Sequence, residues 1–215
     1  NVFARTDFKV DILRNNQIHS GGSVIADLSI KIPGRHNLVN ALAVVATTHL
    51  LKLPMKAVAI ALNEYRGASR RFETVGKIKN TLVISDYGHH PTEIKVTLKA
   101  AREKFGKKAK ILCIFQPHQY SRTYKLLNGF SRAFKDADEV IIPNIFKVRD
   151  TLQDVQKISS TKLARAIGKF HPNVHFGHGF AKTIEYTRKK AKNFDIIMVM
   201  GAGDVDKIAA KLASS

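Results

Sequence analysis

Apolar and polar positions change their spacing near Pro33-Gly34, which separates two kinds of pattern. Before this point the apolar residues alternate with polar ones or run continuously, as is typical of β-strands, and Asn and Gly pairs mark turns between them. After it they recur at helical spacing. The predicted elements of this first part are strands over 8–13 and 24–32 and helices over 37–51 and 55–65.

Beyond Arg71 the pattern becomes regular, because short apolar runs alternate with helical segments of about 10 to 15 residues. The predicted strands are 81–85, 110–115, 139–143, 174–176 and 195–200, and the predicted helices are 91–105, 120–134, 160–170, 181–191 and 204–213. Such alternation predicts an α/β fold with a mostly parallel sheet covered by helices on both faces. The interruption at 67–71 divides the chain into a partial strand-plus-helix segment, 1–70, and a sheet domain, 71–215.

Charge allows two interpretations. The 215 residues contain 36 Lys and Arg against 17 Asp and Glu, a net charge of +19. This excess favours anionic partners, and a basic nucleic-acid-binding module is one alternative. The cations are spread along the whole chain, however, which is also typical of a solvated surface. Specific binding of nucleic acid that survives about 200 mM salt would favour the first interpretation.

The single cysteine, Cys113, excludes a disulfide framework and a Cys-based zinc site. It lies in an apolar run and is predicted to be a buried strand residue. No apolar stretch reaches the ~20 residues of a membrane span, and no secretory signal opens the chain. We therefore expect a cytoplasmic protein.

Ligands of parallel sheets bind beyond the carboxyl ends of the strands, which directs attention to the segments 86–92, 116–123, 144–151 and 201–204. Asp86 can accept hydrogen bonds from sugar hydroxyls or orient a cation there. His89 and His90 precede a predicted helix, whose N-terminus favours anions. Contact with a ligand and a structural loop of hydrogen-bonded histidines both stay open. Two adjacent histidines without further ligands do not predict a metal site.

The loop after the next strand, 116–123, offers an imidazole, a phenol and a guanidinium from His118, Tyr120 and Arg122. Arg122 is suited to a bidentate grip on a carboxylate or phosphate. The same residues are also compatible with an ordinary helix start that exposes polar side chains.

Polar residues in three further segments allow a nucleotide role or a structural one. Arg70-Arg71 could neutralise phosphates of a neighbouring domain, or could be solvated beside a buried Phe72. Asn37 and Asn40 share a helix face. One of them has an ordinary role as a cap, whereas a second Asn can pair with an adenine edge. Gly201-Ala-Gly-Asp204 is half a dinucleotide fingerprint or a tight turn, and no P-loop signature occurs in the 215 residues.

Five motifs, in this order, resemble the Mur ligases over nearly the whole chain. They are Pro33-Gly-Arg-His-Asn-Leu-Val-Asn40, Gly67-Ala-Ser-Arg-Arg-Phe-Glu73, Asp86-Tyr-Gly-His-His-Pro-Thr-Glu-Ile94, Phe115-Gln-Pro-His-Gln-Tyr-Ser-Arg-Thr123 and Gly201-Ala-Gly-Asp204. The similarity is greatest to the branch of the family that joins L-alanine to UDP-N-acetylmuramate in peptidoglycan precursor synthesis. It implies ATP-dependent amide formation through an acyl phosphate.

The resemblance also implies a domain assignment. Residues 1–70 would be the end of the central ATP-binding domain, and 71–215 the Rossmann-like C-terminal domain. The P-loop and most ligands of Mg²⁺ would lie outside the chain, so we expect it to be inactive without the N-terminal and P-loop domains. The implied partners are ATP, UDP-N-acetylmuramate and L-alanine, with neither nucleic acid nor membrane.

Roles for individual residues follow from the resemblance alone. His36, Asn37 and Asn40 would hold the adenine end of ATP. Arg71 and Asp86 would lie near the nucleotide, and the implied catalytic residues are Asp86, Arg71 and His90. The implied substrate-binding residues are His89, His118, Tyr120 and Arg122, and no metal ligand is assigned.

Two positions depart from the family's pattern. Ser85 stands where a first acid is usual. Gln119 replaces an arginine and removes a positive charge, which either puts the amino acid preference in question or shifts anion binding onto Arg122. The recycling branch, which joins a murein tripeptide to the same sugar nucleotide, is the alternative within the family. Glu93 favours the alanine branch.

Overall fold

The chain forms two compact units, Asn1–Arg66 and Gly67–Ser215. The computed structural model describes residues 10–12, 17–20, 23–27 and 31–214. Parts of the two predicted strands of the first unit, residues 8–9, 13 and 28–30, lie outside these ranges.

In the first unit, three short strands form an antiparallel sheet in chain order: β1 (Val10–Ile12), β2 (Gln17–Ser20) and β3 (Ser23–Asp27). The sequence did not predict β2, because Ile18 is its one apolar residue. The prediction of a strand at 31–32 was wrong, since neither residue is in a strand. Two helices follow, α1 (Arg35–Leu50) and α2 (Met55–Glu64).

The second unit is built on a six-stranded sheet with the order β4-β5-β9-β6-β7-β8. Its strands are β4 (Glu73–Ile78), β5 (Thr81–Asp86), β6 (Ile111–Phe115), β7 (Glu139–Ile142), β8 (Val174–Phe176) and β9 (Ile196–Met200). Only β4, at one edge, is antiparallel to its neighbour; the other five strands are parallel. The predicted mostly parallel sheet is confirmed.

Helices cover both faces of this sheet, as predicted. On one face α3 (Pro91–Phe105), α5 (Leu127–Ser131) and α7 (Ser160–Gly168) pack on Cys113, Phe115 and Met200. On the other face α8 (Phe180–Lys190) and α9 (Asp206–Ala213) pack on Val83 and Val199. The remaining helices are α4 (Tyr120–Lys125), α6 (Leu152–Lys157) and a 3-10 turn, Ala191–Asn193. Among the described helices, none has the length and apolarity required to cross a membrane.

Three elements of this unit differ from the prediction. Strand β4 was missed because Ile78 is its one fully buried residue, so its sequence lacks an apolar pattern. Helix α6 was missed because none of its six residues is buried. The single helix predicted over 120–134 is broken at Leu126, and α5 then approaches α3 so closely that a Cβ on Gly129 would lie 2.9 Å from Cγ of Pro91.

Candidate functional site

Three loops meet at the carboxyl ends of the parallel strands in the second unit's sheet. Asp86 at the end of β5 and Phe115 at the end of β6 both lie opposite Met200, the last residue of β9. The loops that follow these strands therefore begin side by side. This is where the chain order of the sheet reverses, because β9 is inserted between β5 and β6, and such switch points form ligand crevices in α/β folds.

Asp86 is buried at this edge, and its carboxylate faces the protein's own backbone. Oδ2 accepts a hydrogen bond from the N–H of Phe72 at 2.9 Å, and Oδ1 accepts from the N–H of Gly88 at 2.8 Å. The Thr97 hydroxyl donates to Oδ1 at 3.4 Å. Burial raises the pKa of Asp86, while the backbone bonds and the charge of Arg71 oppose that rise. Asp86 thus ties the segment before β4 to the loop after β5.

The two arginines at the start of this unit have different environments. The Arg70 guanidinium donates to the carbonyls of Gly201 at 2.5 Å and Gly203 at 2.9 Å, and lies 3.7 Å from the Asp206 carboxylate. Arg71 is exposed. Arg70 therefore fixes the loop after β9 to the start of this unit, whereas no hydrogen bond or ion pair with another described residue holds the side chain of Arg71.

Tyr87 contacts both arginines. The guanidinium carbons of Arg70 and Arg71 lie 5.1 and 5.3 Å from the centre of its ring, within the range of a cation–π contact. The Tyr87 N–H also donates to the carbonyl of Arg70 at 2.6 Å. The ring therefore restricts where the Arg71 charge can lie.

The adjacent histidines of the loop after β5 also differ. His90 is the N-cap of α3, and its Nδ1 accepts from the N–H of Thr92 at 3.2 Å, which assigns the ring proton to Nε2. Glu93 completes the capping box by accepting from the N–H groups of His89 and His90. The His89 ring is half-buried, with Nδ1 3.5 Å from the Glu93 carboxylate and 3.2 Å from the Tyr87 carbonyl.

His118 and Arg122 lie together on the loop after β6. Arg122 Nη1 is 3.5 Å from His118 Nδ1, and the His118 ring stacks on Phe146 with centroids 5.5 Å apart. The centre of the His89 ring is 6.1 Å away. Burial, followed by the charges of Arg122 and His89, lowers the pKa of His118, and Asp150 opposes this. The lowered pKa favours the uncharged form of the His118 ring.

Arg122 is half-buried, and within residues 31–214 no Asp or Glu oxygen lies within 4.0 Å of its guanidinium. A half-buried cation without an acidic partner is suited to an anionic ligand.

Gln119 and Tyr120 begin α4 beside this pair. Gln119 has left-handed backbone, with φ of 72°, and its side-chain amide donates to the carbonyl of Val148 at 3.2 Å. The side chain of Gln119, which stands where the family usually has an arginine, thus points towards the loop after β7. Tyr120 is half-buried at the first position of the helix.

The turn Gly201-Ala-Gly-Asp204 packs against Gln116, which is fully buried. Gln116 Nε2 donates to Asp204 Oδ1 at 3.1 Å. A Cβ on Gly201 would lie 2.6 Å from the Gln116 carbonyl oxygen, and one on Gly203 would lie 2.5 Å from its Oε1. The glycines are therefore required for the close approach of two loops. This favours the tight turn over the dinucleotide fingerprint as the explanation of Gly201-Ala-Gly-Asp204.

Ser85 is buried on the face of the sheet that carries Val83 and Val199. An acid at this position would lose its hydration against an apolar layer, which is costly for a carboxylate. The uncharged serine avoids that cost.

In the first unit, the predicted adenine-binding residues lie in the first two turns of α1. Asn37 Nδ2 donates to the carbonyl of Pro33 at 2.8 Å, which leaves its Oδ1 as a possible acceptor. Asn40 is exposed and His36 is half-buried. No cluster of three or more His, Cys, Asp or Glu side chains that could hold a metal ion occurs in the part of the chain that the structure describes.

Comparison with known proteins identifies the family. A profile of the "Mur ligase, glutamate ligase domain" matches residues 70–203, which is more than half of the chain. The chain belongs to the Mur ligase family.

Relatives within the Mur ligases carry a more specific name. The chain is 38% identical over 197 residues to UDP-N-acetylmuramate–L-alanine ligase of Clostridium acetobutylicum, and 43% identical over 184 residues to the enzyme of that name from Acetivibrio thermocellus. These matches cover 92% and 86% of the chain, but 42% and 38% of the two relatives. The chain thus spans about two fifths of their length.

Among solved structures, UDP-N-acetylmuramate–alanine ligase of Thermotoga maritima matches with a TM-score of 0.72 and 27% identity, over 92% of the chain and 41% of that protein. Folylpolyglutamate synthase of Mycobacterium tuberculosis, at 16% identity and a TM-score of 0.63, shares the fold. The chain therefore shares the fold of a Mur ligase of known structure over most of its length.

Of the side chains that the sequence singled out in the second unit, the structure brings His89, His118 and Arg122 together, with Tyr120 at the start of the same helix as Arg122. Asp86 and His90 are bonded to nearby backbone N–H groups instead, and Arg71 lies against Tyr87. Sequence reasoning selected the segments that contain Tyr87, Gln116 and Asp150, but it assigned no role to these three side chains. The capping signal Thr151-x-x-Asp154 marks a helix start directly after Asp150, but nothing in the linear sequence pairs Asp150 with the loop after β6.

Proposed function

We propose that this chain is part of an ATP-dependent ligase that joins L-alanine to UDP-N-acetylmuramate in the cytoplasm, through an acyl phosphate. Membership of the Mur ligases and the names of the relatives support the reaction class. The observation that carries the proposal is the group formed by His89, His118 and Arg122 at the switch point of the sheet. It combines a cation that has no acidic partner among residues 31–214 with an imidazole whose pKa is lowered.

Within this site we assign carboxylate binding to Arg122, whose planar guanidinium matches a carboxylate in two parallel hydrogen bonds. We assign contact with the amine of the amino acid to His118, whose ring lies beside Arg122. His89 and Tyr120 line the same loops and would complete the contacts with the substrate.

On the nucleotide side we assign the adenine to His36, Asn37 and Asn40. Asn37 keeps one acceptor, and Asn40 has an exposed amide, so the two fit the donor and acceptor edge of adenine. Arg71 is an exposed residue whose guanidinium lies against the Tyr87 ring, and it would contact a phosphate group. Asp86 would act through the loops that it ties together, and His90 through the start of α3. We assign no Mg²⁺ ligand to the described residues.

Ligation by the natural polypeptide that contains these residues tests the proposal. Phosphate release would be measured with ATP, UDP-N-acetylmuramate and one of L-alanine, glycine, L-serine or a murein tripeptide. We expect L-alanine to be preferred, and Arg122→Lys to raise its KM at least tenfold, because lysine cannot form the bidentate contact. Lys125→Ala, an exposed change on the same helix, is the control. Preference for the tripeptide would contradict the proposal in favour of the recycling reaction.

We further propose that the 215 residues alone do not bind ATP usefully, because they contain no P-loop. Isothermal titration with Mg-ATP should show no binding tighter than about millimolar, equivalent to roughly 4 kcal/mol. Micromolar binding would contradict this part of the proposal.

A further inference from the structure

The loop between β7 and α6, residues 143–151, runs along the loop after β6 and extends the pairing of the two strands. The N–H of Phe146 donates to the carbonyl of Pro117 at 2.8 Å, and the N–H of Gln119 donates to the carbonyl of Phe146 at 2.9 Å. His118 and Phe146 form an isolated parallel bridge between the two loops. The second loop therefore forms one wall of the proposed amino acid site.

Asp150, at the end of this wall, joins it to α4. Its Oδ1 accepts from the N–H of Ser121 at 3.0 Å, and its Oδ2 accepts from the N–H of Val148 at 3.2 Å. The N-cap residue of α4, Gln119, makes no capping hydrogen bond with its side chain. The carboxylate of Asp150, which lies 29 residues beyond Ser121 in the chain, therefore takes the place of a local cap.

The ionisation of Asp150 fits this role. Burial works against its charge, but the backbone N–H groups of Ser121, Tyr120 and Val148 hold its pKa below the ordinary value. The carboxylate is thus charged near neutral pH and bonded to the first turn of the helix that carries Arg122.

The residues held by this link are the ones to which we assign the amino acid. Arg122 lies one residue beyond Ser121, and His118 is stacked on Phe146 of the wall. If the wall were displaced, the His118 imidazole would move because it is stacked on Phe146. The Arg122 guanidinium would move because Asp150 is bonded to the first turn of its helix. A bidentate contact with a carboxylate depends strongly on the position of the guanidinium.

We propose that Asp150 is a positioning residue, which fixes Arg122 and His118 for the carboxylate of the amino acid by joining the wall to α4. This inference rests on the proposed function of the site. It predicts that loss of Asp150 weakens the use of the amino acid and leaves the use of ATP unchanged.

Steady-state kinetics of Asp150→Asn in the natural polypeptide test this prediction. We expect the KM for L-alanine to rise about tenfold or more, equivalent to at least ~1.4 kcal/mol, with the KM for ATP within about twofold of wild type. Asp150→Glu, which keeps the carboxylate, should recover most of the loss. The matched control is Asp154→Asn, since Asp154 caps α6 and makes no contact with the loop after β6 among those described. Equal effects of the Asp150 and Asp154 substitutions would overturn the proposal.

A second measurement does not depend on the catalytic activity of the protein. In NMR spectra of the 215-residue chain, the ring protons of His118 should carry a ring-current shift from the stacked Phe146. We expect Asp150→Asn to reduce this shift while the melting temperature stays close to that of Asp154→Asn. An unchanged shift in Asp150→Asn would overturn the proposal. If the wild-type protein ligates no amino acid, the proposed function fails, and the shift still decides the role of Asp150.

Discussion

Asp86 and His90 both form hydrogen bonds that stabilise the loop after β5. Any catalytic role of either residue would exist alongside this structural role. The carboxylate of Asp86 accepts two backbone N–H groups, and Nδ1 of His90 accepts a third. A loss of activity in a variant of either residue would therefore mix a chemical effect with a structural one, and the two have to be separated by the choice of substitution.

Asp86→Ala should destabilise the second unit by about 3 kcal/mol, because it leaves the N–H groups of Phe72 and Gly88 in a buried place without an acceptor. Urea unfolding of the 215-residue chain measures the loss. Asp86→Asn, which keeps one carbonyl oxygen, should fall between wild type and the alanine variant. A midpoint for Asp86→Ala equal to that of wild type would show that these bonds contribute nothing.

His90→Ala should cost about 1 kcal/mol through loss of the N-cap, whereas His90→Asn should retain most of the stability, because Asn also caps helices. Thermal unfolding of both variants gives the cap contribution. Ligation by His90→Asn then isolates any catalytic part of the imidazole. Full turnover in that variant would remove His90 from the catalytic residues.

The sequence located the site at the level of loops more reliably than at the level of single residues. Apolar runs and the parallel-sheet rule were enough to direct attention to 86–92, 116–123, 144–151 and 201–204. They could not distinguish Arg70 from Arg71, because the partners of Arg70 are carbonyl groups of Gly201 and Gly203, which the fold alone brings near it. They selected the segment that contains Asp150 but gave that residue no role, because only the fold brings the Ser121 N–H near its carboxylate.

Among elements, burial decided which could be predicted. All five residues of β6 and of β9 are buried, so their sequences are continuous apolar runs. Strand β4 is at the sheet edge and α6 is on the surface, and both lack such a signal. The break between α4 and α5 depends on the contact of Gly129 with Pro91 of α3, which no local pattern reveals.

At the amino end of the sheet, Asp138 links α3 to β6. It accepts from Arg102 at 2.7 Å and from the N–H of Ile111 at 2.8 Å. Burial opposes its charge, but the Ile111 N–H and Arg102 hold the pKa of Asp138 below its ordinary 3.8. Since the folded pKa is the lower one, the stability from this group is present above pH 3.8 and is lost as pH falls through the folded value.

Asp138→Asn should therefore reduce stability near neutral pH and make the loss of stability in acid less steep than in wild type. Urea unfolding across the acid range measures both effects. Asp136→Asn is the matched control, because Asp136 interacts with Arg102 through its main-chain carbonyl. Parallel acid profiles for wild type and Asp138→Asn would contradict the assigned link.

For the whole molecule, Cys113 is a natural probe of unfolding because it is the only cysteine and is fully buried in β6. Burial raises the pKa of its thiol well above the ordinary value, so the reactive thiolate is scarce in the folded protein. A thiol reagent such as DTNB should react slowly with the native chain and rapidly in concentrated guanidinium chloride. Rapid reaction under native conditions would show that the sheet opens easily.

The position of β9 has a consequence for biosynthesis. This strand is the last of the sheet to be synthesised, yet it is the neighbour of both β5 and β6. During translation, the edges of β5 and β6 that pair with β9 stay unpaired until residues 196–200 have left the ribosome. Such unpaired strand edges are sites of aggregation. A premature stop codon shortly before β9 should therefore be as damaging to this unit as one much earlier, because it removes the centre of the sheet.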